Sequence, residues 1–338
     1  MTTATRVRND PNYELLSECL ARCVYRDHFS ILGRWIAIGC DGWRLADRIR
    51  PFLSTFWQAQ PPAGAGSCSF YVCGDEDRGY QVISAAGRSV ESRSWRAVFS
   101  YLLSMVHAHV WAASPEVLPL HSAAVSRHSR GILFPASSGR GKTTLALELA
   151  THGCAYLSDE FAPICLSTTH VLPYARPLQV SAEAASRLLG ERWAEMLPGP
   201  PFLDDDGAER YVLDPSGTLP IGQPAPVRHI VFLEEGFSER GRLQALSKAE
   251  ALGRLFSSAL VYHSDSAWKQ RTVSALTAVV GGADCVSMDL GPIGTNSALL
   301  SESLLQGIGG MLPDAAAELD DLHRLCSRVQ QMLGGEQA

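Results

Sequence analysis

The residues best suited to chemistry lie in one run, Ala136-Ser137-Ser138-Gly139-Arg140-Gly141-Lys142-Thr143-Thr144. It matches the later part of the phosphate-loop pattern GxxxxGK[ST], with Ala136 where the first glycine belongs. The chemistry this spacing offers is phosphate binding. Gly139 and Gly141 let the backbone turn its amides inward, and a helix beginning at Lys142 points its positive end at an anion. Lys142 reaches toward β and γ phosphates, and Thr143 offers a hydroxyl to magnesium. Ser137, Ser138, Gly139, Arg140, Gly141, Lys142, Thr143 and Thr144 are therefore the expected nucleotide contacts. Alanine at position 136 tolerates fewer backbone angles than glycine, so the start of the loop is expected to differ from the usual one.

A second group follows closely. Ser158-Asp159-Glu160 ends the apolar segment after the expected loop helix, where side chains can point back toward the phosphates. One acid there can hold magnesium, directly or through water, while another accepts a proton from an incoming hydroxyl. Two acids that merely solvate a strand end are the plainer alternative.

The elements needed to position these groups are legible around them. Leu118 to Val125 and Gly131 to Phe134 read as strands, joined by a turn at 127–130, and a helix is expected from Lys142 to His152. Strands are expected at Cys154 to Leu157, Ala162 to Leu166 and His229 to Glu234, and helices at Ser181 to Leu189 and Lys248 to Phe256. The polar, turn-rich run from Asp284 to Asn296 reads as a connection, in which Asp289 or Asn296 would be the residues to face a substrate. Residues 198–207, rich in Pro and Asp, read as a surface excursion. From Ser297 to Leu333 the pattern is helical with a break at Gly309-Gly310, and Leu319, Leu322, Leu325 and Val329 form an apolar stripe suited to packing on its own domain or to pairing subunits.

Before residue 114 the pattern differs. A polar start of about 12 residues, expected to be frayed, precedes strand-like runs at Phe29 to Ile38, Ser67 to Cys73 and Tyr80 to Ser84, separated by PPAGAG and GDEDRG turns. One or two helices accompany them, the clearest from Ser94 to Ala113, ended by Pro115. The expected division is a small β-rich domain, 1–113, and a larger α/β domain, 114–338, with a helical C-terminus.

Composition narrows the classes. The 338 residues are 46% hydrophobic and 19% charged, enough for a sizeable core, and the formal charge of -6 argues against a nucleic-acid-coating surface. Only Lys142, Lys248 and Lys269 are lysines among 29 basic residues, which singles out the lysine in the loop. Nine cysteines without a CxxC pair read as ordinary thiols rather than a disulfide scaffold. No run of 18 apolar residues and no signal-peptide core occurs, so a soluble, cytoplasmic protein without membrane or nucleic-acid partners is expected.

The run LHSAAVSRHSRGILFPASSGRGKTTLALELATHGCAYLSDEFAPI resembles the core of bacterial HPr kinase/phosphorylase and its smaller relatives, which include peptide-tailoring kinases. The resemblance covers roughly residues 118–180, with a fainter echo at 227–234. It implies a mixed α/β fold with a nucleotide-binding core like that of the phosphoenolpyruvate carboxykinases, and ATP and Mg2+ as cofactors. It also implies that Lys142 and Thr143 serve the phosphates and metal, Asp159 the acceptor hydroxyl and metal, and Glu160 the metal. His121 matches a histidine that opens the strand pair before the loop in that family, which implies a catalytic place near the phosphates, positioning an acid or water. By residue type alone, His121 serves equally as a cap or a packed strand residue. Arg176, in Pro173-Tyr174-Ala175-Arg176-Pro177-Leu178, matches a segment whose arginine can grip phosphate, and a surface salt bridge is the alternative. Glu160 replaces the family's second aspartate, and no segment for docking HPr is evident.

These readings favour an ATP-dependent kinase acting on a hydroxyl of a peptide, protein serine or small molecule, with homo-oligomer formation left open. A nucleotide hydrolase and a catalytically silent ATP-sensing interaction protein are the alternatives.

Overall fold

The computed structural model describes residues 5–191, 193–197, 199–203 and 207–306. The chain divides into two compact units, Met1–Ser114 and Pro115–Ala338.

The first unit contains β1 (Arg6–Arg8), α1 (Tyr13–Arg22), β2 (Tyr25–Ile31), β3 (Arg34–Cys40), α2 (Trp43–Ile49), β4 (Trp57–Gln58), β5 (Ser67–Asp75), β6 (Gly79–Ser84), β7 (Ser89–Ser92) and α3 (Trp95–Ala112). Its seven-stranded sheet has the order β1-β7-β6-β5-β3-β2-β4. Only β3 and β5 run parallel, because the chain crosses through α2 between them. The helix expected from Ser94 to Ala113 is α3. Ser94 caps it by accepting the Ala97 amide at 3.3 Å, and Val98, Leu102, Val106 and Val110 bury one stripe at four-residue spacing. Two expectations need correction. The polar start supplies an edge strand, β1, whose side chains are exposed but whose backbone pairs with β7. Among the described residues of this unit there are three α-helices rather than one or two.

The second unit contains β8 (Val117–Arg127), β9 (Arg130–Pro135), α4 (Lys142–Thr151), β10 (Ala155–Ser158), β11 (Phe161–Cys165), β12 (His170–Val171), β13 (Leu178–Val180), α5 (Ala182–Leu189), β14 (Phe202–Leu203), β15 (Glu209–Leu213), β16 (Ala225–Phe237), β17 (Arg242–Ala245), α6 (Lys248–Ser257), α7 (Ser266–Gly281), β18 (Asp284–Leu290) and α8 (Asn296–Gln306). The protein is thus a mixed α/β molecule with several sheets. The main sheet runs β10-β8-β11-β12-β16-β18-β17, and β9 pairs with both β8 and β16. The two longest strands are each shared. β8 gives its first half to β11 and its second to β9 and β10, while β16 pairs with β12 at its start and with β9 and β18 beyond. A separate antiparallel sheet has the order β13-β15-β14.

Helices cover both faces of the main sheet. Leu252, Leu255, Trp268, Leu276 and Val280 of α6 and α7 pack with Leu120, Leu133 and Ile230. Leu145 and Leu149 of α4 and Leu300 of α8 pack with Phe134, Val231 and Met288 on the other side. Because β9, β16 and β18 run parallel, their C-terminal ends lie together, and the loop 136–141 leaves from that end.

Two further expectations fail here. Asp284 to Asn296 is not merely a connection: β18 lies between β16 and β17, with Val286, Met288 and Leu290 facing one core and Cys285 the other. Helix α7 has no counterpart in the sequence reading. Asp265, which sits beside His263 and Ser264, caps this helix by accepting the Trp268 amide at 2.8 Å. The surface-excursion expectation for 198–207 falls partly outside the described residues, and its described part contains β14. The expected stripe at Leu319, Leu322, Leu325 and Val329 lies outside them entirely. Among the described residues, no helix is long and apolar enough to cross a membrane.

Candidate functional site

The loop between β9 and α4 takes its shape from two glycines. Gly139 and Gly141 have φ of +78° and +80°, a region L-residues with side chains rarely adopt. A Cβ at Gly139 would meet nothing within 4 Å, whereas at Gly141 it would lie 2.8 Å from Leu290 Cδ1. Position 141 therefore needs glycine for both angle and space. Ala136 lies outside the left-handed region, so alanine fits its backbone without strain, and its side chain packs on the α4 core. The expected departure at the start of the loop is accommodated.

Gly141 is the N-cap of α4, and its side-chain-free cap leaves the first amides of the helix facing the loop. Lys142 is buried, and its Nζ donates to the carbonyls of Ala136 and Ser137, both at 2.8 Å. The ammonium is thus curled into the loop. Burial pushes its pKa down to about 8; Glu160 and Asp159 hold it up against this, and Arg176 adds to the fall. Ser137, Ser138 and Gly139 form the exposed tip, while Thr143 and Thr144 are half-buried in the first turn of α4. Arg140 is drawn aside into an ion pair with Glu235, at the end of β16.

Thr143 Oγ1 donates to Asp159 Oδ2 at 3.0 Å, which joins the loop to the acidic pair. Asp159 is 1% exposed. Its other oxygen accepts from Arg176 Nε at 3.0 Å and from the Tyr156 hydroxyl at 3.2 Å. The same guanidinium pairs through Nη2 with Glu160. Arg176 thus spans both acids from a mostly buried position, which corrects the alternative of a surface salt bridge. Burial opposes the guanidinium charge, but Asp159 and Glu160 outweigh it and raise its pKa.

The turn that carries the acids has its own support. Ser158 is fully buried, and its Oγ accepts the amides of Glu160 and Phe161 at 3.4 and 3.2 Å. The Glu160 carbonyl accepts the Ser122 amide at 3.0 Å. This fixes the start of β11 against β8, where His121 pairs with Phe161. The His121 backbone amide donates to the Ser258 carbonyl at 2.7 Å, so the segment after α6 continues along β8 where β9 has left it. Burial lowers the His121 pKa, Lys142 and Arg176 lower it further, and Glu160 opposes them, so the surroundings favour the neutral imidazole.

No known family model and no curated protein matches the chain. Among solved structures it is similar to the HPr(Ser) kinase/phosphatase from Coxiella burnetii, at 11% identity and a TM-score of 0.27, over 57% of this chain and 97% of that one.

The structure joins Thr143, Asp159, Glu160 and Arg176 into one connected cluster and sets Lys142 and His121 within its electrostatic reach. Among the described residues, no three His, Cys, Asp or Glu side chains gather as a metal cluster, so any cation here would rest on the two acids and the Thr143 hydroxyl. Asn296 does not face the site. It is buried, accepting the Gly291 amide at 2.7 Å and donating to Glu148 at 3.1 Å. Asp289 lines a polar cleft of about 210 Å³ with Glu234, Arg242 and Arg254, formed by residues of β16, β17, β18 and α6. Arg254 is held there by Glu234 and Glu250, at 2.6 and 2.9 Å.

Three supporting residues were not singled out from the sequence. Tyr156 and Ser158 hold Asp159 and its turn. Glu148, fully buried on α4, accepts the Gly294 and Ser297 amides at 2.9 and 2.6 Å, fastening the start of α8 to the loop helix. A fully polar residue inside the apolar run LALELA was the one available signal for Glu148.

Proposed function

We propose that the chain is an ATP-dependent phosphotransferase that moves the γ-phosphoryl group onto a hydroxyl of a peptide, a protein serine or a small molecule. The observation that carries this reading is the 3.0 Å contact between Thr143 Oγ1 and Asp159 Oδ2, made at the start of a helix whose N-terminal turn holds Lys142. Octahedral magnesium with bonds of about 2.1 Å places neighbouring ligand oxygens about 3 Å apart, so these two oxygens and Glu160 suit that ion. When bound, magnesium would neutralise charge on the β and γ phosphates.

In this reading the Lys142 ammonium leaves its loop carbonyls for the phosphate oxygens, and the loop amides share the negative charge. Asp159 orients the acceptor hydroxyl and accepts its proton. The acceptor oxygen forms a bond to the γ phosphorus as the bond to the β-phosphate bridging oxygen breaks, and ADP leaves. A neutral His121 adds no positive charge that would compete with the acid pair. Arg176 holds Asp159 oriented until phosphate or metal competes for it.

Transfer of labelled γ-phosphate from ATP and Mg2+ to an extract of source cells tests the reading, with Lys142→Ala and Asp159→Asn proteins alongside. A labelled acceptor that requires both residues supports it. Release of free phosphate alone replaces it with a hydrolase, and ATP binding without turnover replaces it with a nucleotide-sensing protein.

A further inference from the structure

At the opposite end of the parallel strands lies a second cavity, of about 490 Å³, within the size range of small-molecule sites. It is lined by His128 and Arg130 from the β8–β9 turn, Arg228 and His229 from the start of β16, and Asp284 from the start of β18. Arg130 and Ala136 are joined by a fully extended strand, so the cavity lies roughly 20 Å from the glycine loop. The two cannot share one phosphate.

Charge distinguishes this cavity. Two arginines line it, Arg130 and Arg228, and among the described residues neither forms an ion pair. Arg228 makes only a long contact, 3.4 Å, to the Gly282 carbonyl. The one carboxylate present, Asp284, lies 3.5 Å from His229 Nδ1, too far for a good hydrogen bond, and that nitrogen has no hydrogen-bond partner. His229 is 8% exposed, so an imidazole has been buried beside two arginines without its polar atom being satisfied. The neighbouring turn is also unusual. His128 and Ser129 have φ of 49° and 60°, consecutive left-handed positions that Asn and Gly normally fill. This is the geometry a two-residue hairpin turn requires, and it holds the His128 side chain at the mouth of the cavity between β8 and β9.

We propose that this cavity binds a small phosphate-bearing anion, with Arg130 and Arg228 as its charge partners and the His229 and His128 imidazoles as further donors. A phosphate dianion matches two guanidinium groups in charge, and its three terminal oxygens can accept from groups on two adjacent strands at once. Asp284 sets the upper limit of affinity, because its carboxylate repels the same anion. The assignment does not rest on phosphotransfer at the glycine loop.

Calorimetric titration of the full chain with inorganic phosphate tests it, with malonate as a carboxylate control. The glycine loop is silenced by Lys142→Met so that heat from that end is removed. Saturable phosphate binding is expected to survive in Lys142→Met and to weaken at least about tenfold when Arg130→Gln and Arg228→Gln are added. Both arginines are exposed, so the fold should tolerate these changes. Asp284→Asn is expected to tighten phosphate binding about threefold or more, a gain that misfolding cannot produce. The proposal is overturned if phosphate binding is absent in Lys142→Met, if the arginine changes leave it intact, if Asp284→Asn does not tighten it, or if malonate binds as tightly as phosphate.

Discussion

Arg176 and Asp159 form a buried ion pair, with Nε donating to Oδ1 at 3.0 Å and side-chain exposures of 13% and 0%. The arginine comes from a proline-bracketed extended segment, and the aspartate from a serine-supported turn some 17 residues earlier in the chain. Any ligand that Asp159 serves must therefore compete with a guanidinium already in place.

Arg176→Leu leaves Asp159 buried without its cation and is expected to lower the unfolding free energy by about 3–5 kcal/mol. Arg176→Lys should recover only part of this, because one ammonium cannot reproduce a planar fork that reaches both Asp159 and Glu160. Urea unfolding of the three proteins measures the ranking. Equal stability of the Lys variant and wild type would contradict it.

Lys142 makes the opposite case. Its pKa falls from 10.5 to about 8 on folding, so burial of the ammonium costs stability. Lys142→Met is expected to raise the unfolding free energy at pH 7 by about 1–2 kcal/mol, after the loss of two bonds to loop carbonyls. The gain should shrink between pH 8 and 10.5. In that window the folded lysine has shed its proton while the unfolded one keeps it, and wild-type stability rises with pH. Thermal melts of both proteins at pH 7 and pH 9.5 measure this difference.

Gly139→Ala and Gly141→Ala separate angle from space. Both introduce a side chain at positive φ, a cost of about 1–2 kcal/mol. Only the second also drives a Cβ against Leu290, adding about 1–3 kcal/mol. Chemical denaturation should therefore rank Gly141→Ala clearly below Gly139→Ala, and the reverse order would be inconsistent with the packing of β18 on the loop.

Glu148→Gln keeps the size of the side chain but turns an amide nitrogen toward backbone donors. A loss of about 1–3 kcal/mol is expected, together with faster hydrogen exchange at the Gly294 and Ser297 amides. Unchanged exchange at both amides would show that the carboxylate does not fasten the start of α8.

Much of the second unit was legible because its signals are local. The apolar runs on either side of Gly139 and Gly141, the helix after Lys142 and the strand end at Ser158 all follow from short-range pattern, and the structure places them within one or two residues of their expected bounds. What failed depended on distant partners. β18 alternates Cys, Val, Ser, Met and Asp, and its polar members read as loop until β16 and β17 are seen to enclose it. Helix α7 carries Lys269, Gln270 and Arg271 near its start, which blur the apolar stripe that Trp268, Leu276 and Val280 complete. Arg176 could be noticed from its proline brackets, but its grip on both acids could not, since nothing in the sequence states that residues 159, 160 and 176 meet.

The shared strands have a consequence for how the molecule is made. Everything from His121 to Arg176 lies on neighbouring stretches of chain, so the hairpin of β8 and β9, the loop and α4 can form early from short-range contacts. The second edge of β9 is closed only by β16, about ninety residues later. At ordinary rates of synthesis that interval is on the order of ten seconds. Through it the nascent chain presents an uncovered strand edge beside the glycine loop, and chaperone protection during translation matters most at that stage.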